Sequence, residues 1–337
     1  MIGRHNHILN SLKNDTKLVT KSHQQAVERV IINDNCPIYA YINSLPSDNS
    51  KVTATRVIKA ISKHLGKQSI YEISWPNFDR NQLNSLKQIL DKNELAPDTI
   101  RLYLAILKGI LKEALLLEQI TEKQWLRVKT VKGPKHTRQK KHKTLSHNQF
   151  DELLKHIEIA AGNENAIARD KAIFHLLVGC GLRRNELATL SLASLNFESE
   201  HLKIVGKGNK LRLVKIHPLT MKVLSNWLSV RGFESGPMFM QIYKSGRLGS
   251  LVNSDGSDNF LSGFSIYNLC RKYSLVGVEN PVSPHSLRRS YATWLYDNGV
   301  DLKKIAELLG HSSIKTTEIY ISTKQEEVDQ AVMNSLF

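Results

Sequence analysis

The residues DTIRLYLAILKGILKEALLLEQI, 98–120, set Ile100, Leu104, Leu107, Leu111 and Leu115 at steps of three and four. An α-helix returns side chains to one face at that period, and an apolar stripe of this length has to be covered by other helices. Asp98, following Pro97, stands where a cap is expected. Helical patterning extends from PIYAYINSLP to WLRVKTV, so residues 36–128 read as a small all-helical domain. The segment 1–35 ahead of it lacks such order and reads as an N-terminal extension.

Residues 129–143, KTVKGPKHTRQKKHK, contain seven lysines and arginines, two histidines and no acid. They read as a solvated interdomain linker. A flexible basic strap of this kind also suits a phosphate backbone, through Lys129, Lys132, Lys135, Arg138, Lys140, Lys141 and Lys143. A second domain opens at TLSHNQFDELLKHI with Ser146 as N-cap, and helices are expected at 166–179 and 185–192. The period then changes once. HLKIVGKGNKLRLVKIH, 201–217, alternates apolar and polar residues about a Gly-Lys-Gly-Asn turn, the pattern of a β-hairpin. PLTMKVLSNWLSV is helical again, 231–263 reads as loops, and FSIYNLCRKYSLVG, SLRRSYATWLYDNG and DLKKIAELLG are helical. The expected fold is mainly α: an all-helical domain followed by a mixed α+β domain carrying one small antiparallel sheet.

At 337 residues the chain is long enough for about two domains. No apolar run reaches the roughly 18 residues of a membrane span, and the first residues lack a signal-peptide core. Cys36, Cys180 and Cys270 lie far apart without a C-x-x-C pair, so neither a zinc ribbon nor a disulfide framework is indicated. These features read as a cytoplasmic protein. The formal net charge of +16 favours a polyanionic partner, nucleic acid first.

Four segments place basic or nucleophilic side chains beside tight turns. In GLRRNELATL, Arg183 and Glu186 are three apart and share a helical face. In IVGKGNKLRLV, Lys207 sits between two glycines, but the spacing of a nucleotide-binding P-loop is missing. In SPHSLRRSYATWL, His285 and Arg288 share a face, one able to exchange a proton and the other to grip phosphate oxygens. In LLGHSSIKTTEIYI, His311 and Tyr320 are nine apart, which on one continuous helix puts them on opposite sides. A shared task needs a break between them, and Ser312–Ser313 is a helix-starting pair that supplies one. Singly, each segment has an ordinary structural reading as surface or packing. Together they offer two arginines, a lysine, two histidines and a tyrosine with no carboxylate cluster for a metal, a set suited to phosphoryl transfer by fixed positive charge.

GLRRNEL, GKGNKLRLV, HSLRR and LLGHSSIKTTEIY resemble, in order, the motif series of the tyrosine recombinases, the phage-integrase and Xer-like enzymes. The resemblance spans 144–323, and 36–128 is less specifically similar to the family's core-binding DNA domain. It implies Arg183, Lys207, His285, Arg288, His311 and Tyr320 as the catalytic set, with Glu186 orienting Arg183. Arg289 departs from the histidine many members carry after the motif arginine, a position outside that set.

The resemblance further implies a site-specific recombinase in which Tyr320 attacks a DNA phosphate, giving a 3′-phosphotyrosyl link and a Holliday-junction intermediate without metal, ATP or cofactor. It implies a two-domain DNA clamp, with 129–143 crossing the backbone, acting on double-stranded recombination sites in the cytoplasm at the bacterial nucleoid. A homotetramer would form through the tail 324–337, where Val328, Val332 and Leu336 recur every four residues, and accessory DNA-bending proteins would fit. The integrase of a mobile element is the first expectation. A chromosome-dimer or plasmid resolvase, a type IB topoisomerase-like enzyme and a non-catalytic DNA-binding regulator are the alternatives.

Overall fold

The computed structural model describes residues 35–69, 72–135, 144–206, 210–274, 282–311 and 313–318. The chain divides into two compact units, Met1–Gln139 and Lys140–Phe337. Lys207, Tyr320, Arg138, Lys140, Lys141, Lys143 and the tail 324–337 lie outside the described residues, as does the extension up to residue 34.

The first unit is helical: α1 (Pro37–Ser44), α2 (Asp48–His64), α3 (Arg80–Lys92), α4 (Pro97–Leu116) and α5 (Glu122–Lys129). Helix α4 is its centre and packs against the other four. Ile100, Leu104, Leu107 and Leu111 are buried as their spacing requires, and Leu115 is partly covered. Ile106, Ile110 and Ala114 are buried as well, because helices cover α4 on more than one side. Asp98 is not the cap. Ala96 holds that position and Pro97 opens the helix, where a fixed φ and a missing N–H cost nothing. Asp98 instead pairs with Arg101 in the first turn.

The basic stretch begins in ordered structure rather than in a free strap. Lys129 is the last residue of α5, and Val131 closes the helical core beside Val128. Lys108 Nζ donates to the carbonyl of Lys129 at 3.1 Å, and Arg101 Nη1 donates to that of Pro134 at 2.9 Å. The side chains of Lys129, Lys132 and Lys135 remain exposed.

The second unit contains α6 (His147–Ala160), α7 (Glu164–Gly179), α8 (Arg184–Ala188), β1 (Leu195–Asn196), β2 (His201–Val205), β3 (Leu211–Lys215), α9 (Pro218–Arg231), α10 (Gly263–Lys272), α11 (Pro284–Asp297), α12 (Leu302–Leu309) and α13 (Ile314–Glu318). Ser146 caps α6 in a reciprocal box with Gln149. The unit opens against α11: Leu145 N donates to Ser290 Oγ at 2.8 Å, and Trp294 Nε1 donates to Leu145 O at 2.9 Å. Helix α7 runs through the core against α6, α8, α9 and α11.

The hairpin forms where the alternation places it, with Leu202 opposite Val214 and Ile204 opposite Arg212. The short β1 adds a third antiparallel strand, giving the order β1-β2-β3. The helix expected over 185–192 stops at Ala188, because Leu190 and Leu192 turn to bond Met238 and Gly236 of the following loop. That loop is no surface strand of chain. Met238, Phe239 and Met240 are core residues, and Arg231 donates to the carbonyls of Gly232, Glu234 and Pro237 to hold it there. Among the described residues no helix is long and apolar enough to cross a membrane.

Candidate active site

Helix α8 begins immediately after Gly181-Leu182, and Arg183 is its N-cap residue. The Arg183 N–H donates to Glu186 Oε2 at 2.8 Å, and Arg183 Nη1 donates to Oε1 at 2.7 Å. The sequence pair is therefore real, and it has a third member. Arg212 on β3 donates from Nη1 to Glu186 Oε1 at 2.9 Å and from Nη2 to Oε2 at 2.7 Å, a two-pronged grip. Arg288 Nη1 stands 3.8 Å from Oε2. One carboxylate thus faces three guanidinium groups, leaving two positive charges in excess at the mouth of α8.

Glu186 is 6% exposed. Burial alone would raise its pKa, but the hydrogen bonds from Arg212 and Arg183 prevail and hold it down at about 2. It is an anchor with fixed charge, unsuited to passing a proton near neutrality. Arg183 keeps a third of its side chain exposed, while its Nη2 donates to Gly310 O at 3.0 Å.

Arg288 lies on α11, one turn after His285. It is 1% exposed, with Nη1 donating to Gly181 O at 2.6 Å and Nη2 to Leu309 O. It ties the start of α8 to the end of α12. Both joints rest on glycines with left-handed backbones: Gly181 at φ +59°, where a Cβ would lie 2.4 Å from the Tyr291 ring, and Gly310 at φ +63°, which ends α12.

The break expected between His311 and the tyrosine segment falls where the sequence puts it, between Leu309 and Ile314. His311 is half-buried beside the arginines, its main-chain N–H donating to Ala306 O at 2.9 Å. Burial first, then Arg288, Arg183, Arg212 and His285, pushes its pKa down to about 4, so the ring is neutral at physiological pH. Its Nδ1 is 2.8 Å from Thr317 Oγ1 on α13. His285 is exposed in the first turn of α11.

Arg183, Glu186, Arg288 and His311 thus meet at one place, with His285 at its edge. Arg212 and Thr317 belong to it and were not singled out from sequence. A signal for Arg212 was present: in LRLVK it shares its strand face with the buried Val214, so an arginine was bound to point inward. Tyr291 stands near the arginines, but burial pushes its phenol up to about 12. Chemically, the cluster is a rigid, partly dehydrated seat for an anion with more than one negative oxygen. Among the described residues no group of three histidine, cysteine, aspartate or glutamate side chains is placed to hold a metal ion.

The family model described as the phage integrase family matches residues 143–327, over half of the chain. The tyrosine recombinase XerC of Shewanella amazonensis is 31% identical over 257 residues, covering 74% of this chain and 78% of that protein. The tyrosine recombinase XerD of Lacticaseibacillus casei is 39% identical over 153 residues, 45% of this chain and 50% of that one. In fold, the chain is similar to the XerH site-specific recombinase bound to a palindromic difH substrate, with TM-score 0.59 and 21% identity over 84% of this chain and 76% of that one. It is also similar to the Tn1549 transposon integrase in complex with transposon right end DNA, with TM-score 0.62 and 18% identity over 90% of this chain and 99% of that one.

Proposed function

The chain belongs to the phage integrase family and is a tyrosine recombinase, and from that premise we propose that it cuts and rejoins double-stranded DNA at specific sites as the integrase of a mobile element, with Tyr320 as nucleophile. The observation that carries the site assignment is the convergence of Arg183, Arg212 and Arg288 on Glu186 beside a neutral His311. Such a cluster binds the charge that gathers on the non-bridging oxygens of a phosphodiester under attack, and side chains already held in place need not reorganise as that charge develops.

In this reading Tyr320 Oη bonds to phosphorus as the bond from phosphorus to the 5′-oxygen breaks. The tyrosine proton passes to His285, and Lys207 protonates the departing 5′-oxygen. Arg183 contacts a non-bridging oxygen directly. Arg288, nearly enclosed, acts through its charge and by fixing Gly181 and Leu309. His311 donates a further hydrogen bond. The 3′-phosphotyrosyl bond retains the energy of the phosphodiester, so a partner strand's 5′-hydroxyl reverses the step. Exposed Lys129, Lys132 and Lys135, with Arg138, Lys140, Lys141 and Lys143 after them, would follow the DNA backbone. Four copies on two sites, joined through the tail 324–337, would pass through a Holliday junction, with DNA-bending proteins as accessories and the nucleoid as the place of action. A resolvase of the same family is the second reading, favoured by the similarity to XerC over 74% of the chain.

Nicked suicide duplexes drawn from the DNA flanking the gene test this. The wild-type protein in EDTA is expected to form a denaturation-resistant adduct and Tyr320→Phe none. The trapped fragment separates an attachment site from a resolution site. An adduct that persists in Tyr320→Phe removes that residue from the mechanism, and binding without any adduct points to a regulator.

A further inference from the structure

We propose that Thr317 is a positioning residue that fixes His311 in its Nε2–H tautomer and so presents a proton donor to the scissile phosphate, a step that rests on His311 binding that phosphate. Thr317 Oγ1 and His311 Nδ1 are 2.8 Å apart, and Thr317 is 0% exposed. A hydroxyl so enclosed has no water to donate to, and a buried donor left without an acceptor is costly. Among the described residues, His311 Nδ1 is the one acceptor that Thr317 Oγ1 reaches. The hydroxyl therefore donates and Nδ1 accepts.

The rest follows from counting protons. Arg183, Arg212, Arg288 and His285 all face the half-buried ring and oppose its protonation, so it carries a single proton. With Nδ1 accepting, that proton sits on Nε2. An Nε2–H attracts a phosphate oxygen; the other tautomer would turn a lone pair towards it. The pairing also spans the turn between α12 and α13, and Thr317 stands three positions ahead of Tyr320 in the sequence. Seating α13 and arming His311 are then one event.

The full-length protein carrying ¹⁵N-labelled histidine reports the tautomer without DNA, with His311→Gln identifying the ring. Wild type and Thr317→Ser are expected to show an unprotonated Nδ1 and a protonated Nε2 near neutral pH. Thr317→Val, of the same shape but lacking the hydroxyl, is expected to show mixed or reversed tautomers. On the nicked duplex that traps wild type, Thr317→Val should form its adduct about ten-fold more slowly at unchanged DNA affinity, and Thr317→Ser should stay within about two-fold, as the loss or retention of one hydrogen bond predicts. A protonated Nδ1 in wild type overturns the proposal, as does Thr317→Val with tautomer and rate both unchanged. The expected tautomers without an adduct from any protein would overturn the functional reading rather than the tautomer assignment.

Discussion

In the helical unit, Thr55 and Ser62 are the buried polar side chains among the described residues, whereas the second unit buries Arg169, Asp170, His175, Glu186, Arg231 and Arg288. The first is held by leucine and isoleucine contacts, each replaceable by another apolar group of similar volume. The second depends on matched charges, and a match fails when one member is removed. Its buried arginines share a habit: Arg169 donates to Met240 O, Arg231 to Pro237 O and Arg288 to Gly181 O. Guanidinium groups there work as clamps on the main chain. The difference teaches that the second unit trades tolerance for fixed geometry, which is what a preorganised anion seat requires.

The largest effect that can break this contrast is Glu186→Ala, which leaves three arginines facing one another and is expected to destabilise the second unit by about 3–5 kcal/mol. Leu107→Ala in α4 should cost about 3 kcal/mol through the cavity it opens. Denaturant melts near neutral pH check both, and acid tells them apart. The folded pKa of Glu186, about 2, lies below its ordinary 4.5, so its contribution is complete above 4.5 and is lost as pH falls through 2. The Glu186→Ala penalty should therefore shrink in acid, while that of Leu107→Ala should not follow Glu186's titration. Equal penalties at both pH values would erase the distinction.

A second effect sharpens it. His175 and His311 are both held down from 6.5 to about 4, chiefly by burial. The unfolded chain binds their protons below 6.5 while the folded chain refuses them until about 4, so the stability they allow is complete above 6.5 and declines between the two values. Replacing His175 with a neutral residue should flatten that part of a stability–pH curve for the second unit. A curve of unchanged slope would show that His175 already titrates normally.

The smallest expected effects should not distinguish the units at all. Thr121 caps α5 and Ser146 caps α6 through the same reciprocal box, and alanine at either should cost about 1 kcal/mol. Thermal melts of the two variants provide the check.

The boundary between what was legible in the sequence and what was not follows the range of the forces. The α4 stripe, the hairpin, the Ser146 cap and the Arg183–Glu186 pair depend on neighbours a few positions away, and pattern alone located them. The burial of Met238 to Met240 depends on Arg231 and Trp227 drawing the loop inward through its carbonyls, and loop composition carries no sign of that. The hold of Arg288 on two carbonyls, 107 and 21 positions away, has no local signal either. Arg212 was legible in principle, since strand alternation points it inward, but its two-pronged hold on Glu186 spans 26 positions.

The clamp of Arg288 on two backbone oxygens has a consequence for anyone building libraries from this gene. Every codon supplies a carbonyl, so randomising position 309 among apolar residues of leucine's size leaves that acceptor in place. Position 181 offers no such latitude. A side chain there meets the Tyr291 ring and an unfavourable backbone angle together. Diversity aimed at new target sites belongs away from position 181, where any codon for a residue other than glycine strains the turn.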